Sequence, residues 1–248
     1  MKRIFYFYFC LLMVLSNNVF AQSKQITIYV PFSAGGSVDI IARMMAVQMS
    51  QKMGMPVLVD NKLGAGGNIA TALVAQARPN GLILLAHHQG ITYSNALSDN
   101  LSFNVQKDFA PIATVGVTPN VLVIPSNSQF KNLQEFVEFA KANPGKLNYG
   151  SAGIGSNGHL AMELFQSAAG IKLMHIPYKG MPQAIADVAG GQIQAVLTTI
   201  PAALPFIQGG SVKALGTSGQ KRSSVLPDIP TIQADSYTHL TLPTKRIV

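Results

Sequence analysis

The sequence of 248 residues is poor in cysteine and in charged side chains. Its one cysteine, Cys10, lies in an apolar N-terminal segment, so the rest of the chain has neither a disulfide scaffold nor thiol chemistry. Charged residues make up only 11% of the chain, and the densest internal basic pair is Lys221-Arg222. Without a run of Lys and Arg, the sequence lacks the footprint of a nucleic-acid-binding protein.

The formal net charge of +8 overstates the charge of the body of the chain. Of the 18 basic residues, four lie near the two ends, as Lys2-Arg3 and Lys245-Arg246, which leaves 14 basic against 10 acidic residues between them. That mild positive excess modestly favours anionic ligands. The hydrophobic share of 48% is typical of a globular protein with a substantial core and not of a disordered chain.

The N-terminus has the pattern of a secretory signal. Lys2-Arg3 precede an apolar run over residues 4–15, and Val19-Phe20-Ala21 supplies small residues for cleavage after Ala21. The run is too short for a comfortable transmembrane helix. Residues 1–21 are therefore predicted to be a signal peptide.

The most informative stretch is residues 29–39, with the sequence YVPFSAGGSVD. Alternating apolar residues before it predict a strand, and Gly35-Gly36 would let the backbone approach a ligand closely. An apolar stripe predicts a helix over residues 37–53, with Ser37 as N-cap and Asp39 in the first turn. A strand that runs through such a loop into a helix points backbone N–H groups at one spot, which favours an anion.

A second copy of this pattern lies at residues 147–159, with the sequence LNYGSAGIGSNGH. It combines a short strand, a Gly/Ser loop and a helix over residues 157–169 that Gly170 closes. Two such loops in one chain suggest two lobes that hold one anionic ligand between them.

Four segments together resemble a known family: PFSAGGSVD at 31–39, GAGGN at 64–68, LNYGSAG at 147–153 and HIPYKG at 175–180. They are similar to the Bug-type receptors, the periplasmic solute-binding components of tripartite tricarboxylate transporters. The likeness runs in order from about residue 25 to residue 234. It implies an α/β, two-lobed periplasmic binding protein of type II (a Venus flytrap) that captures a small organic acid. It also implies a periplasmic, monomeric, non-enzymatic protein without a cofactor or metal, whose partners are the membrane subunits of a transporter.

The resemblance further implies which residues bind the ligand, through backbone N–H groups, hydroxyls and ordered water. In the first loop the matching positions are Phe32, Ser33, Ala34, Gly35, Gly36 and Asp39. In the second loop they are Ser151, Ala152, Gly153, Gly155 and Ser156, while His87, Gln89 and Thr198 match more loosely. Thr198-Thr199 stands where many relatives carry Asp-Asn, which can hold a ligand amine. This departure disfavours an amino-acid ligand and favours a plain mono- or dicarboxylate.

The remaining pattern alternates strands and helices, as α/β proteins do. Strands are predicted at 57–59, 82–86, 115–124, 171–176, 193–197 and 212–215, with that at 82–86 central in a parallel sheet. Further helices are predicted at 69–77 and 133–142 and after Pro182 and Pro201. We expect a first lobe over 22–122, a second lobe over 123–213, and a return to the first lobe over 214–235, led by the strand at 212–215.

The last residues, 236–248, do not match the family, which would continue for several tens of residues. They resemble translated sequencing-adapter read-through. We therefore expect a non-native tail on a C-terminally truncated chain whose first lobe is incomplete.

Other readings of the motifs remain open. Residues 153–158 match the G-x-G-x-x-G nucleotide fingerprint, but the next strand ends without the acidic residue that would hold a ribose. A secreted serine hydrolase using Ser33 or Ser156 is the main enzyme alternative, although the G-x-S-x-G pattern fails at both. His87 and His88 should point to opposite faces of a strand and so should not share a metal ion. His159 either faces the cleft or packs within the fold.

Overall fold

In the computed structural model, the described residues are 24–98 and 100–233. The predicted signal peptide with Cys10 and the Ala21 cleavage site lies outside them, as does the tail at 236–248. Within the described ranges, no helix has the length and apolar character needed to cross a membrane.

The first sheet has three parallel strands in the order β2-β1-β3. They are β1 (Ile26–Val30), β2 (Val57–Asn61) and β3 (Ile83–Leu85). Helices α1 (Ser37–Met53) and α2 (Asn68–Ala75) accompany this sheet. Residues 82–86 were expected to form a central strand, but β3 pairs only with β1 among the described strands and lies at an edge.

Helix α1 has the predicted bounds, but its N-cap is Gly36 and not Ser37. Gly36 has an extended backbone, whereas Ser37 is already helical, and no side chain caps the helix. Ala42 and Ala46 pack against the alternating apolar residues of β1. The predicted core role of the methionines holds only in part, since Met44 and Met53 are 66% and 51% exposed.

Two short helices, α3 (Ser94–Leu97) and α4 (Val105–Asp108), follow the first sheet. The strand expected over 115–124 is shorter, because regular pairing begins only at Asn120. The second sheet then has five strands in the order β6-β5-β7-β4-β8. They are β4 (Asn120–Pro125), β5 (Asn148–Ser151), β6 (Met174–Pro177), β7 (Ala195–Thr199) and β8 (Val212–Thr217).

Helices cover both faces of the second sheet. On one face lie α5 (Leu133–Ala142) and α6 (Asn157–Ala169), and on the other α7 (Met181–Ala189) and α8 (Ile200–Gln208). Strand β4 serves both cores, since Leu122 and Ile124 face α5 and α6 while Val121 and Val123 face α7 and α8. This alternation is the period of two that a strand imposes on its side chains.

The predicted return to the first lobe at 212–215 is wrong. Strand β4 has two backbone edges, and β8 pairs antiparallel with the edge that β7 leaves free, within the second sheet. The chain beyond it stays there as well: Thr217 bridges to Thr231, and Leu226 joins the core beneath α7 and α8. The other lobe boundaries stay a prediction.

Candidate functional site

The first Gly-rich loop connects β1 to α1, and Asp39 holds it in shape. The Asp39 carboxylate accepts hydrogen bonds from the Gly35 N–H at 2.9 Å, from Asn61 Nδ2 at 2.9 Å and from Arg43 Nε at 3.0 Å. Burial alone would raise the pKa of Asp39, but the hydrogen bonds from Arg43, Gly35 and Asn61 together lower it below 3.8. Asp39 is therefore an ionised support beneath the loop.

The second loop connects β5 to α6 and is held by two histidines. Ser151 Oγ lies 2.7 Å from His175 Nε2 and accepts the Gly153 N–H at 3.1 Å. His159 Nδ1 accepts the Gly155 N–H at 3.3 Å, and the Ser156 hydroxyl caps the backbone N–H of His159. Gly153 has φ +105°, a conformation that side chains rarely adopt.

A cavity of about 390 Å³, including its open mouth, lies between the two loops. The first half of the chain contributes Phe32, Gly36, Ser37, Val38 and His88. The second half contributes Ala152, Ser156, Asn157, Gly158, Met181, Thr198 and Thr199. The lining thus includes the first residues of α1 and α6, whose N–H groups have no intrahelical partner, and it contains no Lys or Arg.

The cavity includes five of the predicted ligand residues, namely Phe32, Gly36, Ala152, Ser156 and Thr198. The others do not line it: Ser33, Ala34, Gly35, Asp39, His87, Gln89, Ser151, Gly153 and Gly155. Most of these belong to the two loops and shape them. Sequence reasoning missed the other seven lining residues, namely Ser37, Val38, His88, Asn157, Gly158, Met181 and Thr199. The helix-start pattern could have indicated Met181, which directly precedes Pro182, but no signal distinguished His88 from His87.

The two adjacent histidines contradict the expectation that they face opposite sides of a strand. Strand β3 ends at Leu85, so the alternation no longer applies, and the two rings lie 4.8 Å apart. Both also contact Phe32, whose ring stacks on His88 at 4.6 Å. Protein atoms fill most of the volume around each ring, and this burial lowers the pKa of His87 to about 4. Burial and the neighbouring His87 lower the pKa of His88 to about 3.

The two halves meet closely around the cavity. Ser33 Oγ lies 3.3 Å from Gln183 Oε1, and Gln89 Nε2 donates to Asn157 Oδ1 at 3.4 Å. A Cβ on Gly66 would overlap the carbonyl oxygen of Ile154, so only glycine fits there. The backbone of the Gly64–Gly67 loop is therefore in direct contact with the backbone of the second loop.

The serine contacts do not form a hydrolytic centre in the cavity. Ser156 caps a helix, and Ser33 contacts Gln183 with no histidine partner among its hydrogen bonds. Ser151 does contact His175, but its side chain is fully buried and lies outside the cavity lining. Among the described residues, no group of three or more His, Cys, Asp or Glu side chains could hold a metal ion.

The chain matches a known protein family over most of its length. The family model described as "Tripartite tricarboxylate transporter family receptor" matches residues 41–244. Protein BugT of Bordetella pertussis is 34% identical over 87% of this chain and 67% of its own length. The chain spans less than two thirds of the first curated relatives it matches, at 62% of one and 65% of another.

Solved structures agree with the family match. MatC from Rhodopseudomonas palustris with bound malate superposes with a TM-score of 0.80 at 32% identity, covering 84% of this chain and 71% of that one. R. palustris Rpa4515 with adipate superposes with a TM-score of 0.82 at 30% identity, covering 86% and 72% of the two chains. The predicted two-lobed periplasmic-binding-protein fold and the resemblance to Bug-type receptors are confirmed.

Proposed function

Because the chain belongs to the tripartite tricarboxylate transporter receptor family, we propose that it is a solute-binding receptor for a small carboxylate. The ligand would lie in the cavity between the two Gly-rich loops. Its carboxylate would accept hydrogen bonds from the first-turn N–H groups of α1 and α6.

The observation that carries the proposal is that two helix N-termini, one from each half, line the same cavity. Helix N-termini bind anions through free N–H groups and the positive end of the helix dipole. Phe32, Val38, Ala152 and Met181 supply an apolar wall that suits the carbon chain of an organic acid. The relatives with malate and adipate support this ligand class.

Family membership is also the basis on which we propose the compartment, the partners and the oligomeric state of the protein. The receptor would act in the periplasm after cleavage of the signal peptide at Ala21, deliver its ligand to the membrane subunits of a transporter, and function as a monomer without catalysis. Thr198 and Thr199 line the cavity with uncharged groups, which supports a plain mono- or dicarboxylate over a ligand with an amine.

The test is a melting screen of the chain against malate, adipate and other small carboxylates, with inorganic phosphate as a reference anion. An acid at 100 times its dissociation constant should add about 2.7 kcal/mol of stability. Absence of any shift across the panel, or turnover of an ester by this protein, would contradict the proposal.

A pair of variants matched in size but different in charge tests whether the cavity is the binding site. Val38 lies in the first turn of α1 and lines the cavity. The side chains introduced by Val38→Asp and Val38→Asn have the same size, and the helix tolerates Asp in its first turn. The Asp variant should therefore bind the acid at least about tenfold more weakly than the Asn variant, through repulsion of the ligand carboxylate. Equal affinities would place the ligand elsewhere.

A further inference from the structure

His88 closes the cavity on the side of the first sheet, and two contacts fix its ring. Its Nδ1 accepts the backbone N–H of Gly90 at 2.8 Å. The Phe32 ring stacks on it at 4.6 Å with an interplanar angle of 19°. The plane of the ring and the direction of its other nitrogen, Nε2, are therefore set by the protein.

The hydrogen bond to Gly90 determines where the proton of this imidazole lies. A neutral imidazole has one N–H and one acceptor nitrogen. Burial keeps the ring neutral, and the Gly90 N–H uses the acceptor at Nδ1. The proton must then be on Nε2, which makes Nε2 a hydrogen-bond donor.

This donor faces a second donor from the other half of the chain. The backbone N–H of Asn157, the first residue of α6, points at His88 Nε2 across 3.4 Å, which would be a hydrogen bond only if Nε2 carried no proton. The N–H of Asn157 has no acceptor within its helix. Two N–H groups cannot satisfy each other, but one oxygen can lie about 2.9 Å from both nitrogens. Both residues line the cavity, so such an oxygen can belong to a molecule in it.

We propose that His88 Nε2–H and the Asn157 N–H share one carboxylate oxygen of the bound acid. The proposal rests on the proposed function and adds a specificity-determining residue to it. His88 follows β3 of the first sheet and Asn157 follows β5 of the second. The shared oxygen therefore ties the two halves together, and ligand binding becomes coupled to their approach.

Three substitutions separate this role from a structural one. His88→Asn keeps an oxygen that can cap the Gly90 N–H, but its side chain is too short to reach the shared oxygen. His88→Gln can place an amide N–H near the position of Nε2. Thr92→Val is the matched control, because Thr92 Oγ1 donates to the Gln89 carbonyl in the same turn and is exposed.

The experiment measures dissociation constants by calorimetry for whichever acid of the malate and adipate panel binds the parent chain. Loss of a hydrogen bond to a charged group should weaken binding about ten- to a hundredfold in His88→Asn. His88→Gln should recover part of the loss, and Thr92→Val should stay within about twofold of the parent. Equal affinities of parent and His88→Asn would overturn the proposal and assign the two donors to a bridging water.

A spectroscopic measurement decides the matter independently of any variant. Nitrogen-15 NMR of the parent chain should show the Nε2–H tautomer of His88, and its proton resonance should shift on addition of the acid. The Nδ1–H tautomer, or an unchanged resonance at saturation, would overturn the proposal while leaving the proposed function intact. Failure of the parent to bind any acid of the panel would instead refute the proposed function, and this proposal with it.

Discussion

Acidification from pH 7 to pH 5 should destabilise the protein through two partly buried histidines, His87 and His88. Both have an ordinary pKa of 6.5, which burial lowers to about 4 for His87 and about 3 for His88 in the folded state. Between the folded and unfolded values the unfolded chain binds more protons, so stability falls as the pH falls. The stability is complete above about pH 6.5 and declines as the pH falls to about 4 for the contribution of His87 and to about 3 for that of His88.

The magnitude follows from these pKa values. Each histidine should remove up to about 2 kcal/mol between pH 7 and pH 5, or about 4 kcal/mol together. That loss is large beside the total stability of about 5–15 kcal/mol that is usual for a domain. The pKa of Asp39 is lowered below 3.8, so its own contribution is lost only at still lower pH and does not enter this window.

The assay is urea unfolding at pH 7 and pH 5 for the parent and for His87→Gln. His87 is the suitable site because it does not line the cavity. The variant removes one titrating ring, so its loss of stability on acidification should be smaller than that of the parent by about 2 kcal/mol. The lowered pKa of His175 acts equally in both proteins and cancels in this comparison. The same loss in both would refute the inference that His87 is held neutral by burial.

The remaining predictions concern the loops, the core and the exposed face. Gly66→Ala should weaken binding of the acid about tenfold or more in calorimetry, because its Cβ would overlap the Ile154 carbonyl and hold the halves apart; unchanged affinity would show that this contact does not matter. Gly153→Val should abolish measurable binding in the melting screen, since φ +105° excludes a branched side chain; retained affinity would make the second loop merely structural. Tyr149→Phe should cost about 1–3 kcal/mol in urea unfolding, because it removes the hydrogen bond from the buried hydroxyl to Glu163, and a cost near zero would contradict this. Met44→Lys should change stability by less than about 0.5 kcal/mol, because Met44 is 66% exposed; a large loss would mean that something covers that face.

The sequence predicted the long helices well because local signals define them. Helices α1, α5 and α6 have their predicted bounds, and the cap of α5 is Asn132, whose side chain accepts the Glu135 N–H. Each combines apolar periodicity with a start or stop residue that acts through its immediate neighbours. Such signals need no knowledge of the rest of the fold.

Strand partners were predicted less well, because pairing depends on distant residues. Strand β8 was recognised as a strand, yet its partner β4 lies about ninety residues earlier in the chain. The local sequence pattern of an apolar strand is the same whether the strand joins the first sheet or the second. The position of β3 at an edge was missed for the same reason.

The site was predicted at the level of loops and not of individual side chains. The Gly-rich patterns located both loops, but they could not distinguish residues that face the cavity, such as Ser156, from those that hold the loop, such as Ser151. His88 was overlooked because a strand pattern was extended past Leu85, where the strand ends. The direction of its ring depends on Phe32 and Gly90, contacts that appear only in the folded chain.

The glycines of this chain have a second role beyond access of the backbone to an anion. A Cβ on Gly66 would overlap the carbonyl of Ile154, and one on Gly180 would overlap the hydroxyl of Ser33. Both contacts join the first half of the chain to the second. The absence of side chains there lets the two halves approach until His88 and Asn157 lie 3.4 Å apart. The same residue type thus brings the donors of each loop near the ligand and brings the two loops near each other, which is what a site shared between two lobes requires.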